Sequence, residues 1–126
     1  MKRILSCLCV LVMGTIAWAQ PRAEYPRPQF ERADWQNLNG QWTYTFDFVG
    51  SGLEKNYPES KGFEGKITVP FCPESKLSGV GYTDFINHLW YQRNISVPQA
   101  WQGKNIRLNF GAVYYNSEIY IDGKLA

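Results

Sequence analysis

The sequence has few of the residues that metal and nucleophile chemistry requires. Its 126 residues include one histidine and three cysteines, and two of those cysteines lie within the first nine positions. A structural zinc site needs about four cysteine, histidine or carboxylate ligands at recognisable spacing, and the sequence shows no such spacing. No glycine-rich loop precedes a helical segment, so the common phosphate-binding arrangement is also missing. We therefore expect neither a metal ion nor a nucleotide cofactor.

The first 19 residues have the composition of an export signal. Two basic residues (Lys2 and Arg3) are followed by a mostly apolar run over 4–16, and positions 17–19 read AWA, a small-residue cleavage pattern. The apolar run is shorter than the roughly 20 residues that a bilayer span requires. We predict that residues 1–19 are a bacterial signal peptide, and that the rest is exported to the periplasm or secreted.

The exported part, residues 20–126, has no excess of either charge. Two of the 13 Lys and Arg residues lie in the leader, and the 11 that remain equal the 11 Asp and Glu residues. A neutral chain without basic clusters gives no electrostatic reason to expect nucleic acid or an anionic membrane surface as a partner. Two cysteines leave with the leader, so Cys72 has no partner for an internal disulfide.

Apolar and polar residues alternate in several short segments, which is typical of half-buried β-strands. The segments are 42–48, 66–70, 90–98, 106–110 and 117–121. The first has Trp42, Tyr44, Phe46 and Phe48 on one face, which we expect to lie in the core. No segment after the leader has helical spacing for more than about two turns. An all-β fold, a sandwich or jelly roll, is therefore predicted.

Two local signals refine this pattern. Asp34 is a candidate cap for one helical turn that ends at Asn39 and Gly40. Asp122 and Gly123 predict a tight hairpin turn, because both central residues of such a turn need positive φ. The strand that should return from this turn is missing, since the sequence stops at Ala126. We interpret the chain as a fragment of a longer protein.

Two loops separate the predicted strands. Residues 50–61 are polar and lack periodicity, so we expect a mobile surface loop. Residues 71–88 form a connection longer than usual, and long ordered loops are often functional, so ligand contacts are expected there.

Cys72 and His88, within that second loop, are the one pair that could act as nucleophile and base. Such a pair must be adjacent and oriented by a third group. We favour instead a buried apolar Cys72 and a hydrogen-bonded His88.

Four aromatic residues stand at strand ends, in loops or on the polar side of a strand: Tyr82, Trp90, Trp101 and Tyr120. Exposed aromatic side chains can stack on sugar rings or seal a contact with a neighbouring domain. We favour the domain contact.

Seven short motifs follow one another along the chain. They read PRPQ at 26–29, DWQNLNGQW at 34–42, VPFCPES at 69–75, LSG at 77–79, WYQR at 90–93, FGAV at 110–113 and YIDGK at 120–124. Their order and spacing resemble the opening of glycoside hydrolase family 2, the β-galactosidase and β-glucuronidase group. The resemblance covers essentially all of residues 20–126.

The resemblance implies that this stretch is the N-terminal part of a sugar-binding jelly-roll domain in an exported, retaining exo-β-glycosidase. In such enzymes both catalytic glutamates lie downstream in a (β/α)₈ barrel, beyond an immunoglobulin-like domain. No catalytic residue is therefore expected in this chain, which should be inactive by itself, with carbohydrate and those downstream domains as partners. The loop before WYQR lends polar side chains to the active-site rim in some members, so Asp84 and Asn87 are candidate substrate-binding residues. A free-standing secreted carbohydrate-binding module is the alternative.

Overall fold

The aromatic strand lies at the centre of a three-stranded antiparallel sheet. In the computed structural model, which describes residues 21–24 and 31–126, strand β1 (Gly40–Phe46) lies between β2 (Gly65–Val69) and β3 (Leu89–Gln92). The predicted signal peptide over 1–19 and the PRPQ motif lie outside the described residues. The remaining regular elements are a short hairpin and three single-turn 3₁₀ helices, so the all-β prediction is confirmed.

Alternation gives this sheet two different faces, because successive side chains of a strand point to opposite sides. The aromatic face carries Trp42, Tyr44, Phe46, Ile67, Leu89 and Tyr91, and the polar face carries Gln41, Thr43, Thr45, Lys66, Thr68, Trp90 and Gln92. On the aromatic face Trp42 is opposite Ile67 and Tyr44 is opposite Tyr91. Ile67 is completely buried, so the core of the described residues is centred on β2.

The loop over 71–88 returns across the aromatic face. Its one-turn helix (Lys76–Ser78) lies next to β2, and the Tyr82 ring packs on Phe46 with 4.7 Å between centroids. The Tyr82 amide donates to the Pro73 carbonyl at 2.9 Å, which ties the two halves of the loop together. This loop therefore provides the apolar cover that the aromatic strand needs.

The first predicted strand is shorter than its sequence pattern. β1 ends at Phe46, and Phe48 lies beyond it with 47% of its surface exposed, so the prediction that Phe48 is a core residue is wrong. Asp47 follows the strand and is buried. The chain turns at this point because the Asp47 carboxylate accepts hydrogen bonds from the next loop.

Three later strand predictions, over 90–98, 106–110 and 117–121, fail over most of their length. β3 ends at Gln92, and residues 93–98 and 105–119 contain no strand. The alternating residues Ile106, Leu108 and Phe110 are 40–55% exposed. A segment becomes a strand only when a neighbour accepts its ladder of hydrogen bonds, and no described strand pairs with this one.

The hairpin at the Asp-Gly sequence is confirmed, but its return strand was wrongly expected to be missing. β4 (Tyr120–Ile121) pairs with β5 (Lys124–Leu125), and Asp122 and Gly123 have φ values of 48° and 79°. The Ala126 amide extends the pairing by donating to the Ile119 carbonyl at 2.9 Å. Two residues are enough to close the turn because both positive φ angles are available.

The helical turn expected after Asp34 is also absent, since residues 33–34 only bend. Asp34 instead forms an exposed ion pair with Lys104 at 2.8 Å. Within residues 21–24 and 31–126, the structure contains no helix with the length and apolar character needed to cross a membrane.

Candidate functional site

The loop that was predicted to contact ligand has an ordered first half. The Ser75 hydroxyl accepts a hydrogen bond from the Leu77 amide at 3.2 Å and so caps the one-turn helix. The buried Ser78 hydroxyl donates to the Ser75 carbonyl at 2.7 Å and accepts from the Val80 amide at 3.0 Å. Gly79, with φ of 84°, ends the turn in a conformation that a side chain would strain. These hydrogen bonds all lie within residues 75–80, so this half of the loop has a defined conformation without help from other elements.

Asp84 and Asn87 lie in the second half of this loop, and both are exposed. Their segment starts after Tyr82, packed on Phe46, and ends at Leu89, where β3 begins. Neither side chain hydrogen-bonds to another described residue, so their polar groups face solvent. The segment is therefore fixed at both ends and presents a carboxylate and an amide between them.

Cys72 and His88 have different surroundings, and the prediction that Cys72 is buried is wrong. Cys72 is an exposed free thiol, although a buried apolar position was expected. It lies near Tyr91 on the aromatic face, whereas the His88 imidazole is beside Gly50. Nothing in these surroundings orients the two side chains as a nucleophile and its base.

Asp47 is the best-constructed polar site in the described residues, and the strand pattern did not predict its role. The side chain is 4% exposed, and it accepts hydrogen bonds from the Ser51 amide at 2.9 Å and the Gly52 amide at 2.7 Å. The Ser51 hydroxyl and Trp90 Nε1 add two longer contacts, both at 3.3 Å. Burial raises the pKa of this carboxyl, but the hydrogen bonds outweigh it and hold the pKa below its usual value.

The Trp90 indole connects Asp47 to two further parts of the chain. Its ring makes an edge contact with Tyr57 at 5.6 Å and a tilted contact with Tyr120 at 5.8 Å. A Cβ at Gly52 would overlap the indole, so glycine is required there by close approach. We call Asp47, Ser51, Gly52, Tyr57 and Trp90 the Asp47 cluster.

This cluster corrects two predictions. Residues 50–61 were expected to be mobile, yet their turns and the one-turn helix Tyr57–Glu59 are anchored on the sheet through it. Tyr82, Trp90, Trp101 and Tyr120 were expected to have exposed aromatic faces, yet each is half-buried. Ring contacts within the chain cover part of Tyr82, Trp90 and Tyr120. An aspartate three residues before a Gly-Ser-Gly sequence (50–52) was the signal that could have identified the cluster, because Asp side chains commonly accept hydrogen bonds from the backbone of an adjoining turn.

Arg93 joins two of the sequence motifs in space. Its Nη1 donates to the carbonyls of Leu38 at 2.7 Å and Asn39 at 3.1 Å, and its guanidinium lies 5.9 Å from the Trp42 ring centre. Trp42 Nε1 also donates to the Leu38 carbonyl at 2.7 Å. The DWQNLNGQW and WYQR motifs therefore form one structural unit that fixes the chain entering β1.

Tyr91 has the largest electrostatic perturbation on the aromatic face. Burial beside β1 raises the pKa of its phenol to about 12, and the nearby Glu74 and Cys72 add to the effect. Like any tyrosine phenol it is protonated near neutral pH, and with 40% of the residue exposed it can donate a hydrogen bond. As for metals, residues 21–24 and 31–126 contain no group of three or more histidine, cysteine or carboxylate side chains that could hold an ion.

Comparison with known proteins gives several related sequences. The chain is 27% identical to a beta-glucuronidase of Felis catus over 88% of its length and 23% identical to that of Sus scrofa over 89%. It is 38% identical to a beta-glucuronidase of Streptococcus agalactiae over 71% of its length. The chain spans 14–20% of the length of these relatives. No family model matches the chain.

All three relatives are beta-glucuronidases, although they come from two mammals and a bacterium. For the two mammalian proteins the similarity extends over 88–89% of the chain, which is enough to include the three-stranded sheet and the loop over 71–88. The chain is therefore similar to beta-glucuronidases along most of its length, which supports in broad terms its resemblance to glycoside hydrolase family 2.

Proposed function

We propose that this chain is the N-terminal part of the sugar-binding domain of an exported family 2 glycosidase. The parent enzyme hydrolyses a terminal β-linked glucuronate, galactose or related sugar with retention at the anomeric carbon. The observation that carries the proposal is the similarity to beta-glucuronidases over most of this chain, at 14–20% of their length. The order of seven motifs along residues 26–124 supports it independently.

The role of the described residues in this proposal is to frame the sugar pocket. The sheet and the loop over 71–88 together form a scaffold whose apolar face is closed by Tyr82 on Phe46. Asp84 and Asn87 are solvent-facing on this scaffold and have the chemistry to hydrogen-bond sugar hydroxyls. They act at the rim of a site whose catalytic carboxylates lie elsewhere in the parent enzyme.

Reading the gene beyond codon 126 tests the architecture. The proposal expects a downstream immunoglobulin-like domain and a (β/α)₈ barrel with two glutamates about 5–5.5 Å apart, as retaining enzymes require. An open reading frame without a barrel would refute it. A secreted product of about the present length that binds immobilised polysaccharide would support a carbohydrate-binding module instead.

Variants of the parent enzyme test the rim residues. Asp84→Ala and Asn87→Ala should each raise KM for the substrate about 5- to 20-fold with a smaller change in kcat, because each removes a hydrogen bond to bound sugar. Glu54→Ala is a matched control, since Glu54 is also an exposed carboxylate on a loop and has no side-chain partner among the described residues. Equal KM values for all three variants and the unaltered enzyme would remove Asp84 and Asn87 from the site.

The export prediction has its own test. Fractionation of the producing bacterium should place the protein in the periplasm or medium, and its N-terminus should be Gln20. A cytoplasmic protein that retains residues 1–19 would contradict it.

A further inference from the structure

The hairpin formed by β4 and β5 has little structure of its own to hold it in place. Each of its strands has two residues, and an isolated hairpin is at best marginally stable in water. It follows a stretch, residues 102–118, in which every residue is exposed and none lies in a helix or strand. The position of the hairpin therefore depends on its contacts with other parts of the chain.

The hairpin rests on the Trp90 indole and on the loop over 50–61. The Tyr120 ring of β4 packs against the Trp90 ring with 5.8 Å between centroids, and both residues are half-buried. At the turn, a Cβ on Gly123 would lie 2.8 Å from Cγ of Glu59, so the turn approaches the loop closely. One strand and the turn of the hairpin are thus both in contact with the region around the Asp47 cluster.

The loop over 50–61 contacts the same indole. Trp90 Nε1 donates to Oδ2 of Asp47 at 3.3 Å, and that oxygen also accepts the Gly52 amide at 2.7 Å. The Tyr57 ring makes its edge contact with the indole at 5.6 Å, and Gly52 lies so close that a Cβ there would overlap it. Trp90 therefore contacts the loop and the hairpin at once.

We propose that the loop over 50–61 and the hairpin open and close as one cooperative unit, with the Trp90 indole as the joint between them. Native proteins open in such units, at a lower free energy than global unfolding. Because coupling of this kind is reciprocal, a domain or molecule that binds the closed hairpin also holds the loop closed. Trp90 belongs to the polar face of the sheet, so the unit is separate from the loop over 71–88, which covers the aromatic face.

Hydrogen exchange in the full-length protein tests the proposal. The Gly52 amide reports the loop and the Ala126 amide reports the hairpin, because each donates a hydrogen bond in the closed state. Tyr120→Leu removes the ring contact with Trp90 and leaves the hydrogen bond of Gly52 untouched. Both amides should exchange faster by the same factor, about two- to tenfold, as expected for the loss of one aromatic pair.

Tyr57→Leu provides the second arm, because it removes the ring contact that the loop makes with Trp90. It should likewise raise both exchange rates by one common factor. Tyr114→Leu is the matched control, since the Tyr114 residue is 95% exposed and lies outside the unit. Neither exchange rate should change in this control.

Absolute exchange rates separate local opening from global unfolding. In the unaltered protein the Gly52 and Ala126 amides should exchange faster than the amide of Ile67, which is fully buried in the sheet. Faster exchange of Ala126 alone in Tyr120→Leu, or of Gly52 alone in Tyr57→Leu, would show two independent elements and overturn the proposal. Exchange of both amides as slow as that of Ile67 would also overturn it, because the elements would then open only when the whole fold does.

Discussion

Substitution of Asp47 gives the sharpest test of how the sheet holds the loop over 50–61. Asp47→Ala leaves the Ser51 and Gly52 amides without their acceptor, and the Gly52 amide is buried. An unsatisfied buried donor costs about 1–3 kcal/mol, so loss of the bond to Gly52, with a smaller contribution from the half-buried Ser51 amide, should lower the free energy of unfolding by about 2–4 kcal/mol. The contact from Trp90 Nε1 is lost as well, but at 3.3 Å it contributes less.

The assay combines urea unfolding with hydrogen exchange in the protein that carries this chain. The Ser51 and Gly52 amides should exchange faster in Asp47→Ala, because the loop opens without global unfolding. Asp47→Asn should have an intermediate effect. Its carboxamide oxygen can still accept one hydrogen bond, but its NH₂ group replaces the second acceptor and faces an N–H donor of the loop. Asp34→Ala is the control, because Asp34 is an exposed carboxylate with one ion pair.

The same site predicts a pH dependence. The pKa of Asp47 is lowered in the folded protein, so its stabilising effect is complete above the unfolded value of about 3.9 and is lost as the pH falls through the folded pKa. Asp47→Asn should lack this acid-dependent loss. If Asp47→Ala were as stable as Asp34→Ala, with unchanged exchange at Ser51 and Gly52, the reasoning about the cluster would be refuted.

Two further predictions follow from close packing and burial. Gly65→Ala should destabilise the protein by roughly 1–3 kcal/mol, because the new Cβ would lie 2.6 Å from the Tyr44 carbonyl oxygen. Gly111→Ala, which meets open space, should cost less than about 0.5 kcal/mol in the same urea titration, and equal costs would contradict the packing argument. Tyr91 should ionise near pH 12, so its contribution to stability falls between about pH 10 and pH 12, and Tyr91→Phe should remove that step from an ultraviolet titration. An unchanged titration in Tyr91→Phe would show that another residue titrates there.

Local sequence patterns were sufficient where the chain satisfies its own hydrogen bonds. β1 and β2 pair with each other in register, so their alternation alone located them. The turn at Asp122 and Gly123 needs only positive φ at both positions, which the two residue types supply. The turn depends only on adjacent residues, and β1 and β2 each supply the partner that the other needs.

Alternation was insufficient where a partner is needed from elsewhere. Residues 105–110 alternate as clearly as β1, yet no described strand pairs with them and they form no strand. The alternation over 42–48 places Asp47 on the polar side of the predicted strand. Only the fold shows that the loop over 50–61 buries it. Arg93 is similar, since its contacts with Leu38 and Asn39 span more than 50 positions.

Parts of the candidate site could likewise be predicted from the sequence. The loop over 71–88 could be selected by length, and its packing over the aromatic face gives that length a structural reason. Asp84 and Asn87 came from the resemblance, and their exposure is compatible with sugar contacts.

Hydrolysis of an aryl β-D-glucuronide by the full-length protein, followed by proton NMR, tests the central proposal most directly. A retaining glycosidase must release the β-anomer of glucuronate first, and the α-anomer should appear only later by mutarotation. Parallel assays with an aryl β-D-galactoside and an aryl α-D-glucuronide determine which sugar and which anomeric configuration the enzyme accepts. Turnover of a β-glycoside with the β-anomer formed first is the predicted result. First release of the α-anomer, or no turnover of any β-glycoside by the folded protein, would contradict it.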